Sequence, residues 1–422
     1  MIPLFLKKKN NMRILNLSSY FFPEQMASSH LSNDRFSALK EADIYSTVYA
    51  PTPCRGIDEE TRKKYKKIKY EELYDGFVHV HRFPLFKEGK NPLLRAFRYF
   101  ICILCHIWCG LRAKDCDVLF IGSTPPINGL IMAFLKLFKK YKIVYNLQDI
   151  FPDSLVHTGL TKEGSILWKI GRIVENITYK SADKIIVISE SFKKNIMAKG
   201  VPEEKIVVIP NWVDENTVVS VKKEENPLFD RYNLDRNKFY VCYSGNIGFT
   251  QNMEELCSAA KKLEQEENIG IIIVGDGAFK PQLEKIIAES QIKNITLIPF
   301  QDYSEISNVF SLGDVGLIIS KSGVGTNSVP SKTWSIMSAE RPVLACFDND
   351  SDLCDIVRDT GCGVCIKPDD IDGLVNAIIT LSKNAEENVK MGKKGREYIL
   401  KYLTKEIGTS KYVEVLKEAV KN

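Results

Sequence analysis

Residues 239–277 read FYVCYSGNIGFTQNMEELCSAAKKLEQEENIGIIIVGDG. Two short apolar runs, Phe239–Ser244 and Gly270–Val274, each lead into glycine, and between them a helical pattern starts near Asn252. Strand, helix and strand in that order predict a βαβ unit with parallel strands. The alternation continues through Ile295–Ile298, Val315–Ile319 and Pro342–Cys346. In the first half it runs through Arg13–Leu17, Tyr45–Ala50, Asp117–Gly122, Lys142–Leu147, Lys184–Ile188 and Ile206–Ile209. The class is therefore α/β, with two doubly wound units. Between them, Asn211 to Lys238 carries Pro227, several charges and no sustained apolar period, as an exposed junction does. Two such units in tandem predict a cleft lined by the C-terminal ends of both sheets, where open α/β sheets bind ligands, and a nucleotide is the default ligand.

Composition sets the limits. At 422 residues the chain is long enough for two or three domains, and 44% hydrophobic with 26% charged residues excludes disorder and coiled coil. Fifty-eight Lys plus Arg against 53 Asp plus Glu leave +5, too little for a dedicated nucleic-acid binder but compatible with anionic small molecules or lipid headgroups. Eleven Cys, an odd number, suggest reduced thiols in a cytosolic compartment. The pairs Cys102/Cys105 and Cys362/Cys365 have no partner pair at ligand spacing, so no metal is expected there. Lys7, Lys8 and Lys9 follow the first apolar residues, the reverse of a secretory signal, and the stretch before Met12 is either an extension or lies ahead of the true start.

The longest apolar run, Tyr99 to Leu111, is too short to span a bilayer, and no transmembrane helix is expected. Within Leu93 to Arg112, however, Arg95, Arg98, Cys102, Cys105, Cys109 and Arg112 recur every three or four positions. That leaves Leu94, Phe97, Phe100, Ile101, Leu104, Ile107, Trp108 and Leu111 for a broad apolar face, which either covers a sheet or lies in a membrane surface.

Candidate chemistry collects after the strands. Glycine there lets backbone N–H groups approach a phosphate, and a following helix start adds positive potential. Gly245 and Gly248 are such positions, with a plain tight turn as the alternative. Gly275 and Gly277 lie after the next strand, but Lys280 stands where a dinucleotide fingerprint needs its third glycine, which argues against an NAD-dependent dehydrogenase. In GVGTNSVPSK, residues 323–332, Pro330 suits a first helical turn, and Lys332 either supplies a fixed cation to a diphosphate or is a solvated lysine. Asp149 and Asp153 lie just past a first-half strand, where Asp149 is the better candidate for a reaction centre and Asp153 reads equally as a helix cap. Glu24 either holds an acceptor hydroxyl or binds a neighbouring amide. Asp348-Asn349-Asp350, Asp115/Asp117 and Asp370/Asp372 match a metal-holding D-x-D and read as loop carboxylates.

In this order the phrases Tyr20-Phe21-Phe22-Pro23-Glu24, Asp149-Ile150-Phe151-Pro152-Asp153, Val187-Ile188-Ser189-Glu190, Val208-Ile209-Pro210-Asn211, Gly275-Asp276-Gly277 and Arg341-Pro342-Val343-Leu344 resemble the retaining glycosyltransferases of family 4. The likeness runs from Met12 almost to the end. Ser244-Gly245-Asn246-Ile247-Gly248 and Ser328-Val329-Pro330-Ser331-Lys332 look like the branch that builds O-antigen, capsule and colanic acid, which includes N-acetylfucosamine transferases. The resemblance implies two Rossmann-like domains facing a cleft, the GT-B fold. It implies an N-terminal acceptor-side domain over 1–216, with a C-terminal helix, 400–422, packing back on it, and a nucleotide-sugar-binding domain over 217–399.

It also implies a UDP-sugar donor, a lipid-linked saccharide acceptor, no metal or other cofactor, and a peripheral position at the inner membrane face through 93–112, with Arg62–Lys69 and Lys136, Lys139, Lys140 and Lys142 adding basic charge. The chain departs from the family at four charged positions. Asn246 and Gln251 stand in place of an Arg and a Lys on the donor diphosphate, and Asn327 and Ser335 in place of two Glu on the donor sugar and ribose. The reconstruction gives the diphosphate to Lys332 and the amides around Gly248 and Val329 to Ser331, with Asn246 and Gln251 as polar supports. Where many relatives carry a His near the anomeric carbon, this chain has Gln148 followed by Asp149. Asp149 is thereby assigned to stabilise an oxocarbenium-like charge or accept the acceptor proton, with Glu24 and Asp153 toward the acceptor. The rivals are a UDP-sugar 2-epimerase on the same fold and a non-catalytic sugar-nucleotide-binding subunit.

Overall fold

A computed structural model of the chain describes residues 11–24, 29–89, 91–157, 159, 161–325 and 330–421. Every strand named from the sequence forms, with ends moved by no more than one residue. The chain divides into two units, Met1–Pro210 with Gly408–Asn422, and Asn211–Ile407. The sequence places these junctions at 216/217 and 399/400, a few residues to one side of each.

The first unit holds β1 (Arg13–Leu17), β2 (Tyr45–Pro51), β3 (Tyr70–Leu73), β4 (Val78–Phe83), β5 (Val118–Gly122), β6 (Lys142–Leu147), β7 (Lys184–Val187) and β8 (Ile206–Val208). Their order across the sheet is β3-β4-β2-β1-β5-β6-β7-β8. All neighbours are parallel except β3 and β4, a hairpin that the sequence reading passes over. β4 alternates buried Val78, Val80 and Arg82 with half-buried residues, and β3 buries nothing, so neither shows the apolar run that marks the central strands. The turn between them needs positive φ at Tyr74, Asp75 and Gly76, a hairpin signature without the usual Asn-Gly.

The second unit holds β9 (Phe239–Ser244), β10 (Ile269–Val274), β11 (Ile295–Ile298), β12 (Val315–Ile319), β13 (Val343–Cys346) and β14 (Gly363–Ile366). They lie parallel in the order β11-β10-β9-β12-β13-β14, the doubly wound order in which the sheet reverses direction beside β9. β10, β12 and β13 are buried at every residue, as strands covered by helices on both faces must be. β14 is half-buried throughout and has no counterpart among the strands expected from the sequence.

Helix Ala385–Tyr402 stays with the second unit, where Ile399 packs in the same core as Trp334 and Val343. The last helix, Lys405–Lys421, carries the chain back to the first unit. There Tyr412 donates a 2.9 Å hydrogen bond to Asn146 Oδ1 and its ring lies 6.1 Å from Phe120.

Helix Pro92–Arg112 is capped by Asn91, whose Oδ1 accepts from the amides of Leu93 and Leu94. Its length and composition are those of a helix able to cross a membrane, longer than the uninterrupted apolar run suggests. Yet Arg98, Cys102 and His106 are almost wholly buried along one side, with Arg98 donating to Phe86 O and His106 edge-on to Phe83. One face thus belongs to the domain. The helix packs on Asn128–Lys136, which packs in turn on Ile166–Ser181. Glycines permit both approaches: a methyl on Gly110 would strike Leu135, and one on Gly129 would strike Thr178.

Candidate active site

In the second unit the two glycine loops pack backbone on backbone. The Gly245 amide donates to Val274 O at 2.9 Å, Ile247 to Asp276 O at 2.8 Å, and Phe279 to Ile247 O at 2.9 Å. A Cβ on Gly275, which sits at φ +152°, would fall 2.0 Å from Gly245 O, and one on Gly277 would fall 2.2 Å from Ile247 O. These two glycines are required by the packing of one loop on the other, the tight-turn alternative.

Gly245 has a different neighbour. At φ +141° it leaves room for Lys332, whose Nζ lies 3.1 Å from where a Cβ would be. Lys332 opens the short helix Lys332–Ser338, and its ammonium rests 3.7 Å from the centroid of the Tyr243 ring. Tyr243 in turn donates to Asn246 O at 2.5 Å. No carboxylate among the described residues pairs with Lys332, and loss of water around the ammonium pulls its pKa down to about 7. Gly245, Asn246 and Lys332 are therefore brought together around one aromatic ring. Ser331 and Asn246 are exposed, and Ser335 is half-buried one turn along from Lys332. Val329 and Asn327 lie outside the described residues.

Gly248 departs from the expectation. Its amide donates to Gln251 Oε1 at 3.0 Å, and Gln251 Nε2 donates to Thr250 Oγ1 at 2.9 Å. The amide assigned to the diphosphate is already used by the side chain assigned to support it. Asp348 is likewise taken, accepting from the amides of Gly323 and Gly325 at 3.0 and 2.6 Å. Asp370 accepts from Gly373 N and Asp117 from Arg13 N, so each of the three D-x-D matches has a carboxylate bound to backbone.

In the first unit Asp149 is exposed in the bend after β6. Beside it Gln148 receives its position from two bonds, its amide to Ser123 Oγ at 3.1 Å and its Nε2 to Asn146 Oδ1 at 3.0 Å. Glu24 is 5% exposed and its carboxylate accepts from three backbone amides, Phe21 at 3.0 Å, Cys54 at 2.8 Å and Arg55 at 2.9 Å. It ties two loops together, which corrects the acceptor-hydroxyl role. Asp153 begins helix Asp153–His157 and accepts from Lys199 Nζ at 2.7 Å and Asn195 Nδ2 at 3.1 Å. Lys199 also pairs with the buried Glu175, and Glu175 with Arg172, so Asp153 is the end of an ion-pair chain rather than a free acceptor ligand. Arg62, counted among the lipid-facing charges, is buried and donates to Pro53 O and Leu85 O.

A cavity of about 340 Å³ opens beside these loops, lined by residues of the first unit that include Asn16, Tyr20, Ser32, Asn33, Arg35 and Asn146. Arg35 and Asn16 are absent from the sequence candidates. The available signal was a polar Asn inside the apolar run of β1 and a lone Arg on the apolar side of helix Ser29–Glu41.

With these sites described, comparison with known proteins is direct. Residues 36–217 match the family model described as Glycosyltransferase Family 4, and residues 224–398 match Glycosyl transferases group 1. The chain belongs to these glycosyltransferases. It is 27% identical over 291 residues to the probable glycosyltransferase WbjE of Pseudomonas aeruginosa, covering 68% of this chain and 72% of that one. It is 28% identical over 273 residues to WcaI of Escherichia coli K12, whose name assigns it to colanic acid biosynthesis as a glycosyl transferase, covering 63% and 65%. The structure of Anabaena Alr3699/HepE in complex with UDP and glucose superposes with a TM-score of 0.71 at 15% identity, covering 97% of this chain and 100% of that one. Its likeness establishes the GT-B fold of this glycosyltransferase. Family membership also favours group transfer over the epimerase and binding-subunit alternatives.

Proposed function

We propose that this glycosyltransferase moves a sugar from a UDP-sugar, with retention of anomeric configuration, to a lipid-linked saccharide in cell-surface polysaccharide synthesis. The observation that carries the donor side is Lys332, a cation held against Tyr243 beside Gly245 with no carboxylate among the described residues to neutralise it. A diphosphate leaving group supplies the missing anion, and stabilising that group is the main electrostatic need of the transfer. The neighbour solved with UDP and glucose supports the donor reading, and the name of WcaI supports the polysaccharide reading. Metal independence is part of the proposal, supported by the backbone commitments of Asp117, Asp348 and Asp370.

The acceptor side rests on an apolar surface wider than one helix. Leu93, Phe97, Phe100, Leu104 and Trp108 are exposed on the first helix, Phe134, Leu137 and Phe138 at the end of the second, and Ile166, Leu167, Ile170 and Ile173 on the third. Arg95, Arg112, Lys136, Lys140, Lys169 and Lys180 are exposed on and beside the same three helices. Apolar side chains interspersed with cations fit an anionic bilayer surface, and the proposed location is the inner face of the membrane.

The test is calorimetric titration with UDP, dTDP and GDP in the presence of chelator, followed by transfer from the binding nucleotide's sugars to lipid-linked acceptors in vesicles. UDP binding without metal and a product of retained configuration are expected. Binding of none of the three, or transfer that requires added metal, overturns the reading.

A further inference from the structure

The first-unit cavity contains an arginine that no carboxylate among the described residues neutralises. Arg35 is 9% exposed, and its guanidinium carbon lies 4.3 Å from the Phe120 ring centroid, 5.2 Å from Phe36 and 6.0 Å from Tyr412. Nε has no hydrogen-bond partner, and no carboxylate among the described residues forms an ion pair with the group. The two phenols nearest in charge, Tyr412 and Tyr74, are held neutral by burial, Tyr412 pushed up to about 12.

The other buried arginines of this unit each donate at least one strong hydrogen bond, although Arg82 and Arg98 each leave a buried Nη1 without a partner. Arg82 pairs with Glu71, Arg62 donates to Pro53 O and Leu85 O, and Arg98 donates to Phe86 O. A desolvated charge without a partner destabilises a fold, and three aromatic faces return only part of that cost. Asn16, on the strand beneath, also points an unpartnered, buried Nδ2 among the cavity residues. Among the described lining residues the one carboxylate, Glu24, is bound to three amides.

We propose that this cavity is an oxyanion subsite, in which Arg35, supported by Asn16, binds a phosphate or carboxylate group of the acceptor. A planar guanidinium presents parallel donors that match two oxygens of either group, and a tetrahedral phosphate or a planar carboxylate fills the same fork. The proposal rests on the glycosyltransferase reading, in which the first unit receives the acceptor. It narrows that acceptor to one bearing an anion at the cavity, either on its lipid carrier or on an acidic sugar.

The experiment uses the full chain saturated with UDP, so that the donor site is closed to phosphate. Inorganic pyrophosphate and methyl glucuronide are titrated separately and binding is read by calorimetry and by the rise in melting temperature. One of the two is expected to bind, pyrophosphate indicating the carrier and the glucuronide an acidic sugar. Arg35→Met is expected to weaken that binding at least tenfold with UDP affinity unchanged, and Arg35→Lys to give an intermediate loss. Binding of neither probe to the wild type, or equal binding by Arg35→Met, overturns the subsite. Should Arg35→Met fail to fold, full-strength binding by Arg35→Lys does the same. The UDP titration that precedes the probes reports on the donor reading alone, so its failure is distinguishable from failure of the subsite.

Discussion

The ammonium of Lys332 stacks 3.7 Å from the centre of the Tyr243 ring, and this contact holds a cation beside the Gly245 turn without an anionic partner among the described residues. Lys332→Met is expected to lower UDP affinity at least tenfold while leaving the melting temperature within a few degrees, because the replacement keeps the apolar stem over the ring. Calorimetry with UDP checks it, and unchanged affinity removes Lys332 from the donor site.

The same group gives UDP binding a pH signature. Free Lys332 titrates at about 7, and a diphosphate favours its charged form, raising the pKa in the complex. Above pH 7 binding must therefore take up a proton, and affinity falls as pH rises from 7 to 9. Titrations at pH 8 in buffers of different ionisation enthalpy are expected to show close to one proton taken up, falling toward none at pH 6. The Lys332→Met variant is expected to lose that dependence.

Asp149 is the exposed carboxylate after β6. Asp149→Asn is expected to lower kcat by roughly 10²-fold or more, within the usual range for loss of a positioned acid or base, with UDP affinity unchanged. Steady-state kinetics with the lipid-linked acceptor decides. Intact turnover excludes the role.

Three adjacent helices carry the proposed membrane face, so a charge on any one of them is expected to weaken attachment. Phe100→Glu, Leu137→Glu and Ile173→Glu each replace a side chain exposed on a different helix. Each is expected to reduce co-sedimentation with anionic vesicles several-fold while leaving UDP binding alone. An effect confined to Phe100→Glu returns the surface to the single helix legible in the sequence.

His106 is buried and its pKa is pushed down to about 4, chiefly by desolvation. The unfolded chain takes a proton near pH 6.5 that the folded unit refuses until pH 4, so stability is lost as pH falls through that window and is flat below it. The loss approaches about 3 kcal/mol. Chemical denaturation at pH 7 and 4.5 is expected to show a smaller decline for His106→Phe than for the wild type.

The strands of both sheets were legible because central parallel strands must be apolar on both faces, and β10 reads as a solid apolar run in any context. β3, β4 and β14 were not: β3 buries no residue, β4 alternates buried with half-buried residues and β14 is half-buried throughout, so none is a strand covered on both faces. Lys332 was legible from its place after Pro330 at a helix start. Glu24 and Asp153 were placed at strand ends correctly, but strand ends also hold the carboxylates that bind loops together, and sequence alone does not separate the two uses. Arg35 was hidden by its helix: its isolation is set by Phe120 and Tyr412, which are far away along the chain.

The chain leaves the first unit after Pro210 and re-enters it after Ile407, bringing Tyr412 to Asn146, Phe120 and Arg35. In engineering terms the second unit, to which the proposed donor site belongs, is an insertion, not a downstream module. Hybrid enzymes with an exchanged second unit should therefore be assembled by replacing 211–407 as an internal cassette, keeping the host's own closing helix, whereas fusions at a single junction would separate that helix from Asn146 and Phe120, which Tyr412 touches.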